Sequence, residues 1–396
     1  MSFKKKARLK QNNMQLKQRA IKVRIYPSEA QKEQIAKTFG CCRFVWNQML
    51  SDEQLFYDAT GENFIPTPAK YKKAFPFLKE VDSLALANTQ IDIKKALSGF
   101  FGGNARYPRF KSKKNPKQSY TTNCQGKDVH ATVRLVHEGV RLPILGVVRA
   151  KIHRTPMPGW KLKSATVSET RSGNYYCSLL YEYVEPVPAA IIPTEDTSLG
   201  LDYSSPDFYV DSEGRSPEKM RWFRESEEKL TKLQRRLSRM KKGSKNYAEQ
   251  LHKIEILHEY VAAQRKDFTH KESRRIANAY NAVCVKDINL RAMAGSLSLG
   301  KSTNDNGFGM FRSQLEYKLA DQGKPFIKIG KWFPSTKTCH VCGFVNSEIV
   351  LGVQEWDCPH CRTHHLRDHN AAINIKEKGL RILLHGEDAD TLEPAS

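Results

Sequence analysis

Residues 281–293 read NAVCVKDINLRAM. Val283, Cys284 and Val285 form a short apolar run, the pattern of a strand buried on both faces, which needs a packed layer on each side of its sheet. Lys286 stands where that strand should end. Ligands and metals in open α/β sheets bind at the carboxyl ends of strands, so the lysine is placed to face a functional site rather than bulk water.

On the N-terminal side, SLGLDYSSPDFYVDSEG (198–214) reads as two short strands with a turn at Ser204 to Pro206. Two long basic helices follow over 218–245 and 246–280, joined around Gly243. On the C-terminal side come a Gly-rich loop, a helix at MFRSQLEYKLADQG (310–323) and a strand at PFIKIGKW (325–332). Antiparallel strands first and βαβ units after them fit an RNase H type α/β domain.

The first half is organised differently. Residues 1–19 are basic and polar and are expected to be an arm that is disordered or ordered by RNA. In AIKVRIYP, Ile21, Val23 and Ile25 alternate with Lys22 and Arg24, a strand with one wet face that Pro27 ends. Ser28 with Gln31 predicts a capping box, and Ile35, Phe39, Val45 and Met49 carry a helix on to about Leu55. After a proline-broken stretch, a second helix runs through SLALANTQIDIKKALSGFF to Gly102 and Gly103. Residues 130–184 alternate again and predict strands, with RSGN as a hairpin turn. The strand at 21–26 is expected to close this β-domain, and EPVPAAIIPTED places a boundary near 195.

Charge narrows the partner. Sixty-five Lys and Arg against 42 Asp and Glu leave +23, an excess spread over the whole length and best explained by a polyanion such as nucleic acid. No apolar run reaches the ~18 residues needed to span a bilayer, and no apolar segment follows the N-terminal charges, so a membrane partner and a secretory signal are not expected. A cytoplasmic protein associated with the nucleoid is. Arg109, Lys111, Lys113, Lys114 and Lys117 interleave with Tyr107, Phe110 and Tyr120, a mixture of cations for phosphates and rings for stacking. Arg235, Arg236, Arg239, Lys241 and Lys242, at the end of the first basic helix, are further candidates for nucleic-acid contacts.

Cys339, Cys342, Cys358 and Cys361 form two CxxC pairs separated by fifteen residues. That spacing suits a closed, structural tetrahedral zinc site. Cys41, Cys42, Cys124, Cys177 and Cys284 are read as small core residues. Asp202 ends the strand SLGLD, and Asp368 opens a helix whose inner face carries Ala371, Ala372 and Ile375. Two such carboxylates in a basic chain suggest a hard-metal site, because Mg²⁺ takes oxygen donors and tolerates water and phosphate around them.

RIYPSEAQKEQIAKTFGCCRFVWNQML, YPRFKSKKNPKQSYTTN, LQRRLSRMKKGSKNY, QRKDFTHKES, FRSQLEYKLADQGK, the paired CxxC ribbon and RDHNAAINI together resemble the TnpB family from about residue 20 to 380. These are transposon-encoded RNA-guided DNA endonucleases, the ancestors of type V CRISPR effectors. The resemblance implies a wedge β-barrel-like domain (20–44 and 107–194) with a helical recognition insert (45–106). It then implies a RuvC-like nuclease domain of RNase H fold (195–335 and 366–382) with an inserted zinc ribbon (336–365), leaving a tail from 383. It also implies a guide RNA, double-stranded target DNA beside a short flanking motif, structural Zn²⁺, and Mg²⁺ for cleavage.

The family's first and last catalytic Asp fall on Asp202 and Asp368, and its middle Glu falls on Lys286. Ser204 replaces a Gly, and Leu366 stands where a second Asp is frequent. Asp287 would need a bulge to reach the site, the strand ending KIGKWFPS supplies no relocated Glu, and Glu316 and Glu355 match scaffold positions. An ammonium has no lone pair for a metal, so Lys286 is expected to lie between the two Asp residues as their counter-ion. Four readings stand at this point: an RNA-guided endonuclease inactivated by one change, a natural nuclease-dead RNA-guided repressor, a nuclease with an unusual site, and a non-catalytic RNA-binding zinc-ribbon protein.

Overall fold

A computed structural model describes residues 11–114, 118–126, 128–204, 207–217, 221–289, 307–350 and 352–386. They form two compact units that divide between Pro186 and Val187.

The first unit is an antiparallel sheet covered by helices. Its strands are β1 (Met14–Tyr26), β2 (Gln118–Asn123), β3 (Arg134–Val136), β4 (Gly139–Leu142), β5 (Gly146–Lys151), β6 (Lys161–Glu169) and β7 (Tyr175–Pro186), in the order β2-β6-β7-β1-β5-β4-β3. β1 pairs with β5 on one side and β7 on the other, so the first strand joins the two parts of the sheet. It already begins at Met14, paired with Pro186, and residues 14–19 therefore belong to the sheet rather than to an arm. The alternation in β1 buries Ile21, Val23 and Ile25. Helix α1 (Glu29–Thr60) opens with the capping box: the Gln31 amide donates to the Ser28 hydroxyl and the Gln31 side chain accepts from the Ser28 amide. It runs five residues beyond the expected end and buries Ile35, Phe39, Val45 and Met49. Asp82 caps α2 (Ser83–Phe101), which packs on α1 and β2.

The second unit has a four-stranded sheet, ordered β11-β10-β8-β9, made of β8 (Ser198–Ser204), β9 (Phe208–Asp211), β10 (Ala282–Lys286) and β11 (Phe326–Ile329). β9 runs antiparallel to β8, while β10 runs parallel to both β8 and β11. Its helices among the described residues are α3 (Arg221–Ser238), α4 (Lys245–Ala279), α5 (Phe308–Ala320) and α6 (Arg367–His385). β10 is central and sandwiched, which explains its unbroken apolar run. Val283 and Val285 pack with Ile276, Phe311 and Leu315, while Ala282 and Cys284 face Ile375 of α6. α6 continues to His385, so residues 383–385 are helical rather than tail; 387–396 and the Gly-rich loop lie outside the described residues.

α6 lies unusually close to the sheet. A Cβ on Gly200 of β8 would stand 2.0 Å from the Ala372 carbonyl oxygen and 2.8 Å from the Lys376 amide, and one on Gly379 would stand 2.3 Å from the Cys284 sulfur. Gly200→Ala meets backbone that cannot rotate away, so α6 must move. The expected loss is about 3 kcal/mol, the upper end of ordinary overpacking, measured by denaturant unfolding. A variant as stable as the parent would show that the helix does not rest on Gly200.

Candidate active site and metal centre

The parallel pairing of β8 with β10 aligns Leu201 with Val285, so Asp202 and Lys286 follow side by side at the carboxyl ends of adjacent strands. Asp368 enters from the first turn of α6, the helix held against the same sheet. Asp202 is half-buried. Loss of hydration, and then the negative charge of Asp368, push its pKa up to about 7, against the pull of Lys286, Arg367 and the Tyr203 backbone. Burial lowers the pKa of Lys286 more than Asp202 raises it.

The structure distributes the cations differently from the sequence-based expectation. Lys286 acts on Asp202 and its ammonium lies 3.4 Å from the Ser335 hydroxyl. Asp368 is held by Arg367, whose Nε and Nη2 donate to Oδ1 at 3.0 and 2.8 Å. Both cations thus act on Asp202, while the hydrogen bonds to Asp368 come from Arg367. The other carboxylates considered from sequence have partners of their own. Asp287 is 61 % exposed at its side chain and faces Arg312 at 3.7 Å, Glu316 pairs with Lys328 at 2.9 Å, and Glu355 lies 3.8 Å from His364. Ser204 is buried, and its hydroxyl has no partner among the described residues. Mg²⁺ does not fit this set of side chains: two carboxylates remain, but one feels the positive charge of Lys286 and the other is engaged by a guanidinium.

The four cysteines form the other centre. Their sulfurs all lie within 4.8 Å of one another, with Cys339–Cys361 and Cys342–Cys358 at 3.6 Å. Four sulfurs at ~2.3 Å from a central zinc stand ~3.8 Å apart, so these residues fit a tetrahedral Zn²⁺. Each pair sits in a tight turn. The Gly343 amide donates to the Cys339 carbonyl and the Arg362 amide to the Cys358 carbonyl, with Gly343 and Arg362 at φ 74° and 60°. The short strands β12 (Glu355–Asp357) and β13 (His364–Leu366) close the ribbon, which leads directly into α6.

Several residues that the sequence did not single out tie these centres together. Asn370 donates to the Thr338 carbonyl and accepts from the His340 amide; Asn374 donates to the Ser335 and Thr338 carbonyls. Both are buried. An Asn at each end of one helical turn on an otherwise apolar face is the signal that could have identified them.

The basic candidates in the first unit divide. Tyr120 is 6 % exposed, packed edge-on against Phe39 at 5.8 Å, and is a core residue rather than a stacking platform. Arg109, Lys113 and Lys114 are exposed beside Phe110, and the Lys111 ammonium lies 3.7 Å from the centroid of Trp46. Lys117 lies outside the described residues. In the second unit Arg235, Arg236, Arg239, Lys241 and Lys242 are all exposed, around the end of α3 and the turn before α4. Among the described residues no helix is long and apolar enough to cross a membrane.

Residues 178–297 match a family described as "Probable transposase", and 308–375 match the Cas12f1-like TNB domain. Residues 14–62 match a family described as a helix-turn-helix domain, although here they are one strand and one uninterrupted helix. A protein of Streptomyces pristinaespiralis named "Putative RNA-guided DNA endonuclease" is 31 % identical over 386 residues, covering 94 % of this chain and 92 % of its own length. InsQ of Escherichia coli K12, with the same description, is 29 % identical over 95 % of this chain and 96 % of its own. Among solved structures, Cas12f1 in its complex with sgRNA and target DNA shares the mixed α/β, multidomain fold. The TM-score is 0.56 at 13 % identity, over 92 % of this chain and 99 % of that one.

Proposed function

The chain belongs to the TnpB family of RNA-guided DNA endonucleases, and from that premise we propose that it is an RNA-guided DNA-binding protein whose cleavage site is disarmed by Lys286. A guide RNA held by the protein would pair with one strand of a matched duplex beside a short flanking motif. The +23 charge and the exposed basic clusters at 109–114 and 235–242 support contacts to the two nucleic acids.

The wedge role goes to the antiparallel sheet (20–44 and 107–194) and the recognition role to the helices inserted in it (45–106). The RuvC-like role goes to 195–335 with 366–382, on the strength of the mixed sheet with Asp202 and Asp368 at one end. The ribbon at 336–365 would hold one zinc through Cys339, Cys342, Cys358 and Cys361. That zinc would close the ribbon and take no part in chemistry.

One observation carries the binding-only reading: Lys286 ends the strand next to that of Asp202 and its positive charge acts on that carboxylate, at the strand end where the family has its middle carboxylate. A cation there opposes a divalent metal by charge and offers it no donor. The same observation favours a repressor over a nuclease, because a guide complex that stays on uncut DNA blocks whatever must pass. Expressed with its native flanking DNA, the protein is expected to co-purify with one defined RNA and to retain a duplex matching that RNA over a scrambled one. Equal retention of both duplexes would overturn the reading in favour of a general nucleic-acid-binding protein.

A further inference from the structure

His365 lies at the junction of β13 and α6, between exposed His364 and Leu366, and is itself 2 % exposed. Its ring packs against Trp356 at 4.6 Å and His340 at 4.9 Å. Nε2 stands 3.1 Å from the sulfur of Cys339. The four cysteines already make a complete tetrahedral set, so the imidazole is not needed as a ligand. A metal-bound cysteine is a thiolate and only accepts hydrogen bonds, which requires the hydrogen to be on Nε2 of His365. Four thiolates around one Zn²⁺ carry net negative charge, and a buried N–H aimed at one of them stabilises that charge where water cannot.

The same residue is three positions before Asp368. His365 pairs with Trp356 across the ribbon strands, and the chain then turns through Leu366 into the helix. Asn370 and Asn374 bind the backbone of the first cysteine turn from the next two turns of α6, and Ser335 in the same segment meets Lys286. The chain entering α6 is therefore fixed to the metal centre by His365, two residues before the helix begins, and within the helix by the two asparagines.

We propose that His365 is a positioning residue of the zinc ribbon, donating Nε2–H to the Cys339 thiolate, and that this bond couples metal occupancy to the segment carrying Asp368. The proposal rests on the ribbon holding zinc and is independent of RNA guidance.

The test uses the full chain, His365→Phe, which keeps the ring volume without the donor, and His365→Gln, which offers an amide N–H in place of Nε2. Zinc content, the rate of zinc transfer to a chromogenic chelator, the absorption spectrum after Co²⁺ substitution and amide exchange at 366–370 are measured. His365→Phe is expected to lose zinc about 10- to 100-fold faster, the usual effect of removing an outer-shell partner, and to exchange faster at 366–370. His365→Gln recovers most of both, and all three chains keep a tetrathiolate Co²⁺ spectrum. A His365→Phe chain that never loads zinc while His365→Gln does is the same result in its extreme form. Parent-like zinc release or parent-like exchange in His365→Phe overturns the proposal, as does equal loss in both variants or a nitrogen ligand in the Co²⁺ spectrum. A parent chain that purifies without stoichiometric zinc overturns the zinc reading along with it.

Discussion

Lys286→Glu is expected to cut matched duplex DNA in Mg²⁺, at a rate on the order of 10³-fold or more above the parent, because a metal site supplies several kcal/mol and each 1.36 kcal/mol is tenfold. The substitution removes the positive charge that acts on Asp202 and places a third carboxylate at the end of β10, where the backbone pairing with β8 and β11 is already in place. Arg367 would then have to share Asp368 with the metal. The side chain is half-buried and its neighbours are polar, so the fold should tolerate the change. Lys286→Gln separates the two effects of the lysine: it removes the positive charge without supplying an anionic ligand, and cleavage should stay far below that of Lys286→Glu. Product formation is followed on an end-labelled duplex, with Mg²⁺ omitted as the control. No cleavage by a Lys286→Glu protein that still binds matched DNA would mean that Lys286 is not what disarms the site.

The second large effect is expected at the ribbon. Structural zinc contributes roughly 10 kcal/mol or more to folding of small zinc domains at neutral pH. The described ribbon core holds only Ile349 and Trp356 besides the cysteines, with Phe344 and Val353 partly buried against it, too small a core to persist without the metal. Cys339→Ser should therefore abolish stoichiometric zinc, expose Trp356, now 7 % accessible, and open 336–365 to protease. The antiparallel sheet of the first unit has its own large core and should retain its protection. Limited proteolysis with mass mapping and zinc analysis reads both. A zinc-loaded, protease-resistant Cys339→Ser ribbon would contradict the assignment of that sulfur.

Much of this architecture was legible in the chain because local signals were strong. Ser28 and Gln31 make their capping box, the alternation at 21–25 buries three residues on one face, and VCV is apolar because β10 is covered on both sides. Element ends were less legible. β1 extends back to Met14 because β7 offers it backbone partners there; the short alternation of Met14 and Leu16 with polar residues was the local sign of it, masked by the basic residues around it. Tyr120 read as a stacking ring because cations flank it, yet the strand alternation of β2 turns it toward Phe39. At the candidate site, the positions of Asp202, Lys286 and Asp368 could be argued from strand ends and family pattern. The role of Arg367 could not, because it depends on how the first turn of α6 presents its side chains. Asn370 and Asn374 are marked as buried polar residues by their spacing on α6, but their partners, like that of His365, lie thirty or so residues away in sequence and no local pattern names them.

Sequence-matched DNA binding and the absence of cleavage can be followed together on one sample. The protein purified with its RNA is mixed with a matched, end-labelled duplex in Mg²⁺, and bound and cut fractions are read together. Retention of the matched duplex, intact, with a scrambled duplex left free, is the predicted result. Cleavage of the matched duplex by the protein as it stands would show instead that Lys286 leaves a working metal site.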